Sequence, residues 1–317
     1  MSKIIIKKVD HEEACKFWEE SKQNIIFNNP NLLKEFSLYK FEYWQVAYGE
    51  EKICLWPISI QIKDKKIKIP DFFYYFGPTW YPKDIRQHKL FKITLDVYNN
   101  IIEKLISEYG EVQNELHFSL NDIRAFQWWN YNKKNKFQIT PRYSAIINPK
   151  KINDDNDILD NFRYVRRYEI KKFKKEINYF ITDQIKNNEI IEMYKNTLGE
   201  DISSETEQTL FDFLKLSKNR NSEIICLKNK KNDEIISASL LIDSKIYSNL
   251  ILNLNNKKYK KIGSAPTSIF EILKIKKKKI LDFNGANSPD RADDKHSYGS
   301  EYKLFFNISL VNEKKKF

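Results

Sequence analysis

The sequence predicts an α/β protein of two domains, each a mixed sheet flanked by helices. Three observations predict it. The chain has 317 residues, 41% hydrophobic and 31% charged, enough for each half to bury its own core. Strand-period and helix-period segments alternate along it. The two halves also run through one order of elements: YWQVAYGEEKICLWPISI and EIICLKNKKNDEIISASLLI hold the same place, each followed by a helix and then a short strand, LHFSL or ILDFN. The chain therefore reads as two copies of one unit, residues 1–150 and 151–317.

In the first copy a strand over Lys3 to Val9 precedes a helix from Glu12 to Glu20, and a short helix follows Pro30. Glu42 to Tyr48 and Lys52 to Ile62 alternate in hydropathy around Gly49-Glu50-Glu51, a hairpin signal. After the aromatic segment PDFFYYFGPTWYP, Leu90 to Tyr109 has the apolar period of a helix that Gly110 ends. Glu115 to Leu120 reads as a strand. The second copy opens on a charged helix from about Asp157 to Lys175, then a strand at Asn178 to Thr182 and helices at Asn187 to Thr197 and Ser204 to Ser217. Ser204-Glu205-Thr206-Glu207 supplies N-cap chemistry. Strands follow at Glu223 to Lys228, Glu234 to Asp243 and Lys245 to Leu252, then a helix at Pro266 to Lys276, the strand ILDFN, a polar loop and a closing strand at Lys303 to Leu310.

Composition narrows the function classes. The longest apolar runs, such as Ile235 to Ile242, fall far short of the ~18–20 residues that span a bilayer, and Ile4, Ile5 and Ile6 between lysines are too few for a secretory signal. No transmembrane segment and a cytoplasmic location are expected. Cys15, Cys54 and Cys226 are far apart in apolar or mixed segments and read as buried thiols. The four histidines (His11, His88, His117, His296) never reach HxxxH or HExxH spacing, so no metal site is expected. A net charge of +12 suggests an anionic partner. The saturation in Lys, Ile and Asn points to an A/T-rich genome and discounts the lysines. Arginine is the cleaner signal, and Arg163, Arg166 and Arg167 crowd into one turn of the charged helix at i, i+3 and i+4, placed to clamp phosphates.

Two further segments carry chemistry. In KKIGSA, Lys260 to Ala265, Gly263 allows a tight turn and Pro266 sits where a helix start misses no N–H, so free N–H groups point at an anion. The spacing of Lys260, Gly263 and Ala265 resembles the pyrophosphate loop of the GNAT acyltransferases, with Lys260 in place of Gln or Arg. In DFNGANSPDRADDKHSYGSE, Asp282 to Glu301, a buried strand ends in a polar loop, where binding and catalytic groups concentrate.

That second segment resembles the close of the FemAB-like branch of the GNAT superfamily, Asp-Phe-x-Gly, a variable loop, then Phe-Lys-x-x-Phe-Gly. The matching positions are Asp282, Phe283 and Gly285, then Asp294, Lys295, Tyr298 and Gly299. The resemblance extends to WPISI…IPDFFYYFGPTWYP in the first half and to the basic helix at Arg163 to Lys175. Asp294 departs from the family's Phe, and the long coiled-coil arm of the larger peptidyltransferases is absent. The resemblance implies two tandem GNAT-like domains, an acceptor side over 1–150 and a donor side over 151–317. It implies transfer of an acyl or aminoacyl group, from acyl-CoA or aminoacyl-tRNA, to an amine of a cell-envelope glycan or peptidoglycan precursor, with peripheral membrane contact through a lipid-linked substrate. Acyl-CoA is the favoured co-substrate, and no permanently bound cofactor is expected.

The site expected from these readings has Lys295 as the cation near donor phosphate or oxyanion, His296 as a base, and Asp282 fixing the loop. Lys260, Gly263, Ser264, Ala265, Arg163, Arg166, Arg167 and Tyr298 are expected on the donor. Arg124, Trp128 and Tyr131 in DIRAFQWWNY bring rigid aromatics to an arginine; with Tyr75 they are expected on the acceptor. The adjacent Trp128 and Trp129 cannot share one helical face, so one of them lines a cleft. The competing reading is a non-catalytic RNA- or nucleotide-binding protein that retains the fold.

Overall fold

The computed structural model describes residues 4–80, 87–120, 122–131, 135–149, 154–216 and 222–311. β1 (Ile4–Val9) leads into α1 (His11–Glu20), where the Asp10 carboxylate accepts from the Glu13 N–H at 2.9 Å and caps the helix. Next come α2 (Pro30–Leu33), β2 (Tyr39–Tyr48), β3 (Glu51–Gln61), β4 (Thr79–Trp80), α3 (Gln87–Tyr109), β5 (Glu111–Leu116), α4 (Arg124–Gln127) and β6 (Gln138–Ile147). Two helices follow, α5 (Asp155–Asn161) and α6 (Tyr164–Glu176). The order then repeats as β7 (Tyr179–Thr182), α7 (Asn187–Leu198), α8 (Ser204–Leu216), β8 (Ser222–Asn229), β9 (Ile235–Asp243) and β10 (Tyr247–Asn255). After the single turn α9 (Lys257–Lys260) it closes with α10 (Ser264–Ile275), β11 (Ile280–Asp282), α11 (Pro289–His296) and β12 (Glu301–Val311).

The chain divides into two compact units. The first runs to Arg142 and includes the residues from Leu304 onward. In it β1, β2, β3 and β4 pair in that order, and β12 pairs antiparallel with β5 from Leu116↔Phe306 to Glu111↔Val311. Its core gathers Trp56, Val97, Ile101, Leu105 and Phe126 with Ile308 and Leu310. The Trp56 indole N–H reaches the buried Asn114 Oδ1 at 2.8 Å, which satisfies a donor that burial would otherwise strand.

The second unit, 143–303, has strand order β6-β11-β10-β9-β8-β7. One face is covered by α6 and α10, whose Ile170, Phe173, Ile269, Phe270 and Ile272 pack with Ile225, Leu227, Leu241 and Leu250 of the sheet. The last strand of each copy is exchanged: β6 pairs with β11 and β12 with β5. The closing strand, expected in the second domain, thus belongs from Leu304 on to the first unit.

Several elements differ from expectation for physical reasons. The charged helix is two helices, because Phe162 leaves α5 in an extended conformation to bury its ring against Tyr298, with centroids 5.2 Å apart. The first-copy strand lies four residues earlier than Glu115, since its inward set includes the polar Asn114, which breaks the apolar alternation. β6 escapes the pattern because its first half is mostly exposed and carries Pro141 and Arg142. The loop after β11 holds a helix, α11, started by Pro289. Ser203, one residue before the expected cap, accepts from the Thr206 N–H at 3.0 Å. Tyr81 and Pro82 of the aromatic segment and Ser217 lie outside the described residues. Among those residues no helix is long and apolar enough to cross a membrane.

Candidate active site

β10 and β11 run parallel for three residue pairs, Tyr247↔Ile280 to Asn249↔Asp282, and then part. β10 continues to Asn255, and its register against β9 slips between Leu250 and Leu252, an irregularity that bends a strand locally. At the fork, Asn284 sends Nδ2 to the Leu250 carbonyl at 3.1 Å and so spans from the loop after β11 to β10. Asp282 is buried, accepting from Ser144 Oγ at 2.5 Å and from the Asn284 N–H at 2.8 Å. The same Ser144 hydroxyl accepts from the Gly285 N–H at 3.2 Å. The base of the fork is therefore a rigid polar network.

Lys295 closes that network from α11. Its Nζ donates to the Phe283 carbonyl at 2.9 Å and to the Gly285 carbonyl. Burial pushes its ammonium down to about 8, helped by Arg291 and opposed by Asp282 and Asp294. The sequence pairing of Asp282 with Lys295 is thus a spatial one. Asp282 is tied to the loop by these hydrogen bonds, and Lys295 is committed to two backbone carbonyls. His296 is exposed and lies face to face with Tyr302, centroids 5.3 Å apart, away from the fork's hydrogen bonds.

The arginines expected on the donor face carboxylates rather than an open phosphate site. Arg166 donates from Nε to Ser297 Oγ at 2.8 Å, from Nη1 to Glu169 at 2.8 Å and from Nη2 to Asp294 at 2.7 Å. Arg163 pairs with Asp293 at 2.6 Å and Arg167 with Asp160 at 3.5 Å. The Asp that departs from the family's Phe, Asp294, is thus the partner that fixes Arg166. Tyr298 is enclosed at 1% exposure, its hydroxyl on Asp294 at 3.1 Å and its ring parallel to Phe283. Burial and the Asp294 carboxylate raise its phenol well above the usual range. It is a packing residue, a correction to its expected place on the donor. Gly299 explains the aromatic-glycine pair: its φ is +75° and a β-carbon there would meet the Asn161 carbonyl at 2.5 Å.

The KKIGSA loop does start a helix, with Gly263 at the α10 N-cap and φ +105°. Gly263 and Ser264 are buried, because α6 lies directly against this turn. Lys260 is exposed and Ala265 is half-buried. An incoming diphosphate would have to displace α6 to reach the Gly263 and Ser264 backbone.

In the first unit, Tyr75 is a correction too. At 1% exposure it is ringed by His117, Phe118 and Phe305 with centroids 4.8–5.6 Å away, and it presents no surface to an acceptor. Arg124 is bidentate to Asp122, at 2.8 and 2.6 Å, and its guanidinium lies 4.1 Å from the Phe91 ring centroid. With Trp80, Phe91 and Tyr98 it borders a cavity of about 240 Å³. Trp128 is exposed, whereas Trp129 packs on the core, so the two tryptophans do part. Neither Trp128 nor the exposed Tyr131 lines that cavity. Sequence reasoning missed Ser144 and Asn284. Asn284 sits inside the quoted Asp-Phe-Asn-Gly motif, whereas Ser144 had no local signal, being brought to Asp282 by the exchanged strand β6.

No family model matches the sequence, and no curated protein matches it. Solved structures do match in fold. The structure of FemX aligns over 97% of this chain and 98% of its own, with TM-score 0.61 and 10% identity. A tandem GNAT protein from the clavulanic acid biosynthesis pathway aligns over 98% of both chains, with TM-score 0.53 and 7% identity. This chain has the tandem GNAT fold. L-PGS from Bacillus licheniformis shares it over 96% of this chain and 92% of its own, with TM-score 0.52 and 13% identity. The FemAB-like resemblance of the Asp282 to Gly299 motif is consistent with the fold of these neighbours.

Proposed function

We propose that the protein is an N-acyltransferase that joins an acyl or aminoacyl group to an amine, with the donor carbonyl seated where β10 parts from β11. The observation that carries this reading is the fork itself. Beyond Asn249 the β10 edge facing β11 has no strand partner among the described residues, so an extended donor can pair with it as a short strand would. Amide formation by direct attack asks for alignment of amine and carbonyl and for donors aimed at the developing oxyanion. A backbone edge held by the Asn284 bridge and the Lys295 staple supplies such a preorganised surface.

For the donor, two observations favour aminoacyl-tRNA over the acyl-CoA expected from the loop. The α10 start is covered by the α6 backbone at Gly263, which weighs against a diphosphate there. α6 also exposes Tyr164 and Tyr168 beside Lys171, Lys172 and Lys175, rings for stacking and cations for phosphates. The same face supports the second reading, RNA binding without turnover. The acceptor, by resemblance, is an amine of a cell-envelope precursor, and contact with a membrane would come through a lipid-linked form of it.

The experiment incubates the protein with a pool of tRNA charged with labelled amino acids, or with labelled acetyl-CoA, and an amine-bearing peptidoglycan precursor nucleotide. Label in a base-stable amide from the tRNA arm supports the reading. Label from the acetyl-CoA arm alone reverses the donor assignment. Salt-sensitive tRNA binding with no amide in either arm favours the non-catalytic reading.

A further inference from the structure

The cavity of about 240 Å³ in the first unit has apolar sides, given by Trp80, Leu90, Phe91 and Leu120, and Tyr98 borders it from α3. The Tyr98 ring is fixed: Trp80 stacks on it with centroids 5.5 Å apart, and Phe126 and Trp56 pack on it at 5.1 and 5.9 Å. The residue is 2% exposed, and its hydroxyl has no hydrogen-bond partner among the described residues. Yet that oxygen is not one of the polar atoms sealed away without a partner. A molecule in the cavity can therefore reach it. A phenol buried this deeply usually finds a partner for its hydroxyl, so one that lines a cavity unpaired points to a ligand.

The other polar groups of the wall are already engaged. Asp122 accepts from Nε and Nη2 of Arg124 at 2.8 and 2.6 Å and from the Arg124 backbone N–H at 3.2 Å. Thr94 Oγ1 donates to the Leu90 carbonyl at 2.8 Å. Ser119 Oγ accepts from Gln23 Nε2 at 3.0 Å and lies 2.8 Å from His117 Nδ1. Two donors are left, the Tyr98 hydroxyl and Nη1 of Arg124. Nη1 only donates, so the group that suits both is an acceptor.

Charge and size narrow the class further. Asp122 and Arg124 are the ionised side chains among the described residues that line the cavity, and they neutralise each other. A carboxylate would lose its hydration with no counter-charge left for it. A cation would meet Arg124, whose guanidinium lies 4.1 Å from the Phe91 ring centroid. An uncharged carbonyl oxygen meets neither cost. An apolar cavity of about 150 Å³ holds benzene, so this larger one suits a single ring with a short substituent.

We propose that this cavity binds an aromatic ring carrying an uncharged carbonyl, as in an aryl amide, with the ring among Trp80, Leu90, Phe91 and Leu120 and the carbonyl oxygen accepting from Tyr98. The site lies wholly in the first unit, and nothing in it rests on the transfer reading.

The test is fluorine NMR titration of the full chain at neutral pH with 4-fluorobenzamide, 4-fluorobenzoate and 4-fluorobenzylamine, three probes of nearly one shape that differ in head-group charge. The amide is expected to bind with a Kd on the order of a millimolar, as a ligand of this size allows, and the two ions at least about tenfold more weakly. Tyr98→Phe removes the hydroxyl alone and should weaken the amide about fivefold while leaving Tm unchanged or higher. Thr94→Phe fills the cavity from α3 and should abolish binding. Absence of amide binding, an ion bound as tightly as the amide, or binding that persists in Tyr98→Phe or Thr94→Phe overturns the proposal. A lowered Tm in Tyr98→Phe overturns it as well, by showing that the hydroxyl is paired within the protein.

Discussion

A β-carbon built on Gly263 would stand 2.6 Å from the carbonyl oxygen of Glu169. The first turn of α10 therefore rests on the backbone of α6, and the glycine that resembles part of a pyrophosphate loop is required by helix packing. Gly263→Ala must both hold φ +105° and push α6 away. It should cost about 2–4 kcal/mol from strain and overpacking, read as a lower urea midpoint at unchanged m-value. A neutral result would mean α6 does not sit against this turn.

Lys295 predicts a pH dependence with a definite sign. Its ammonium is pushed down to about 8 in the folded protein, against the ordinary 10.5. Between those values the unfolded chain holds a proton that the folded chain has released, so stability rises with pH across that window and is flat in this respect below it. The difference in unfolding free energy between wild type and Lys295→Met should grow by about 1.4 kcal/mol per pH unit there, measured by urea titration at stepped pH. A difference that shrinks with pH contradicts the burial of this group.

Arg166, Arg163 and Arg167 should separate by stability. Arg166→Ala removes three partners at once, Ser297, Glu169 and Asp294, and should cost about 2–4 kcal/mol. Arg163→Ala and Arg167→Ala each lose one exposed pair and should fall within about 1 kcal/mol of wild type. Equal effects in thermal melts would argue that the trio acts as a unit.

Tyr75 and Trp128, expected on the same acceptor surface, should also part. Tyr75→Ala empties a ring of aromatics and should cost about 3–5 kcal/mol. Trp128→Ala, at 46% exposure, should cost under about 1 kcal/mol. Chemical unfolding of the two variants decides it.

What the sequence made legible follows from which interactions are local. The duplicated order of elements, the β2–β3 hairpin and the helices α3, α7 and α10 show in periodicity because each is patterned by its own neighbours in sequence. The Asp-Phe-Asn-Gly and Lys-x-x-Tyr-Gly segments are legible as one place because the loop between them is short, and Lys295 returns to Phe283 and Gly285. The exchange of β6 and β12 was not legible, since nothing local tells a strand which sheet edge it joins. Ser144 came to Asp282 through that exchange. Residue type shows the charge of the arginine cluster, whereas the carboxylates Asp293 and Asp294 that meet Arg163 and Arg166 lie more than a hundred residues away in sequence.

The central claim is that the fork between β10 and β11 is where the amide forms, and the most direct measurement is single-turnover transfer from labelled aminoacyl-tRNA to an amine-bearing precursor in wild type and Asn284→Ala. Asn284 spans the fork to the Leu250 carbonyl at 3.1 Å, and loss of that positioning should lower the transfer rate about ten- to a hundredfold while tRNA affinity stays unchanged. Transfer at the wild-type rate in a folded Asn284→Ala protein would contradict the account.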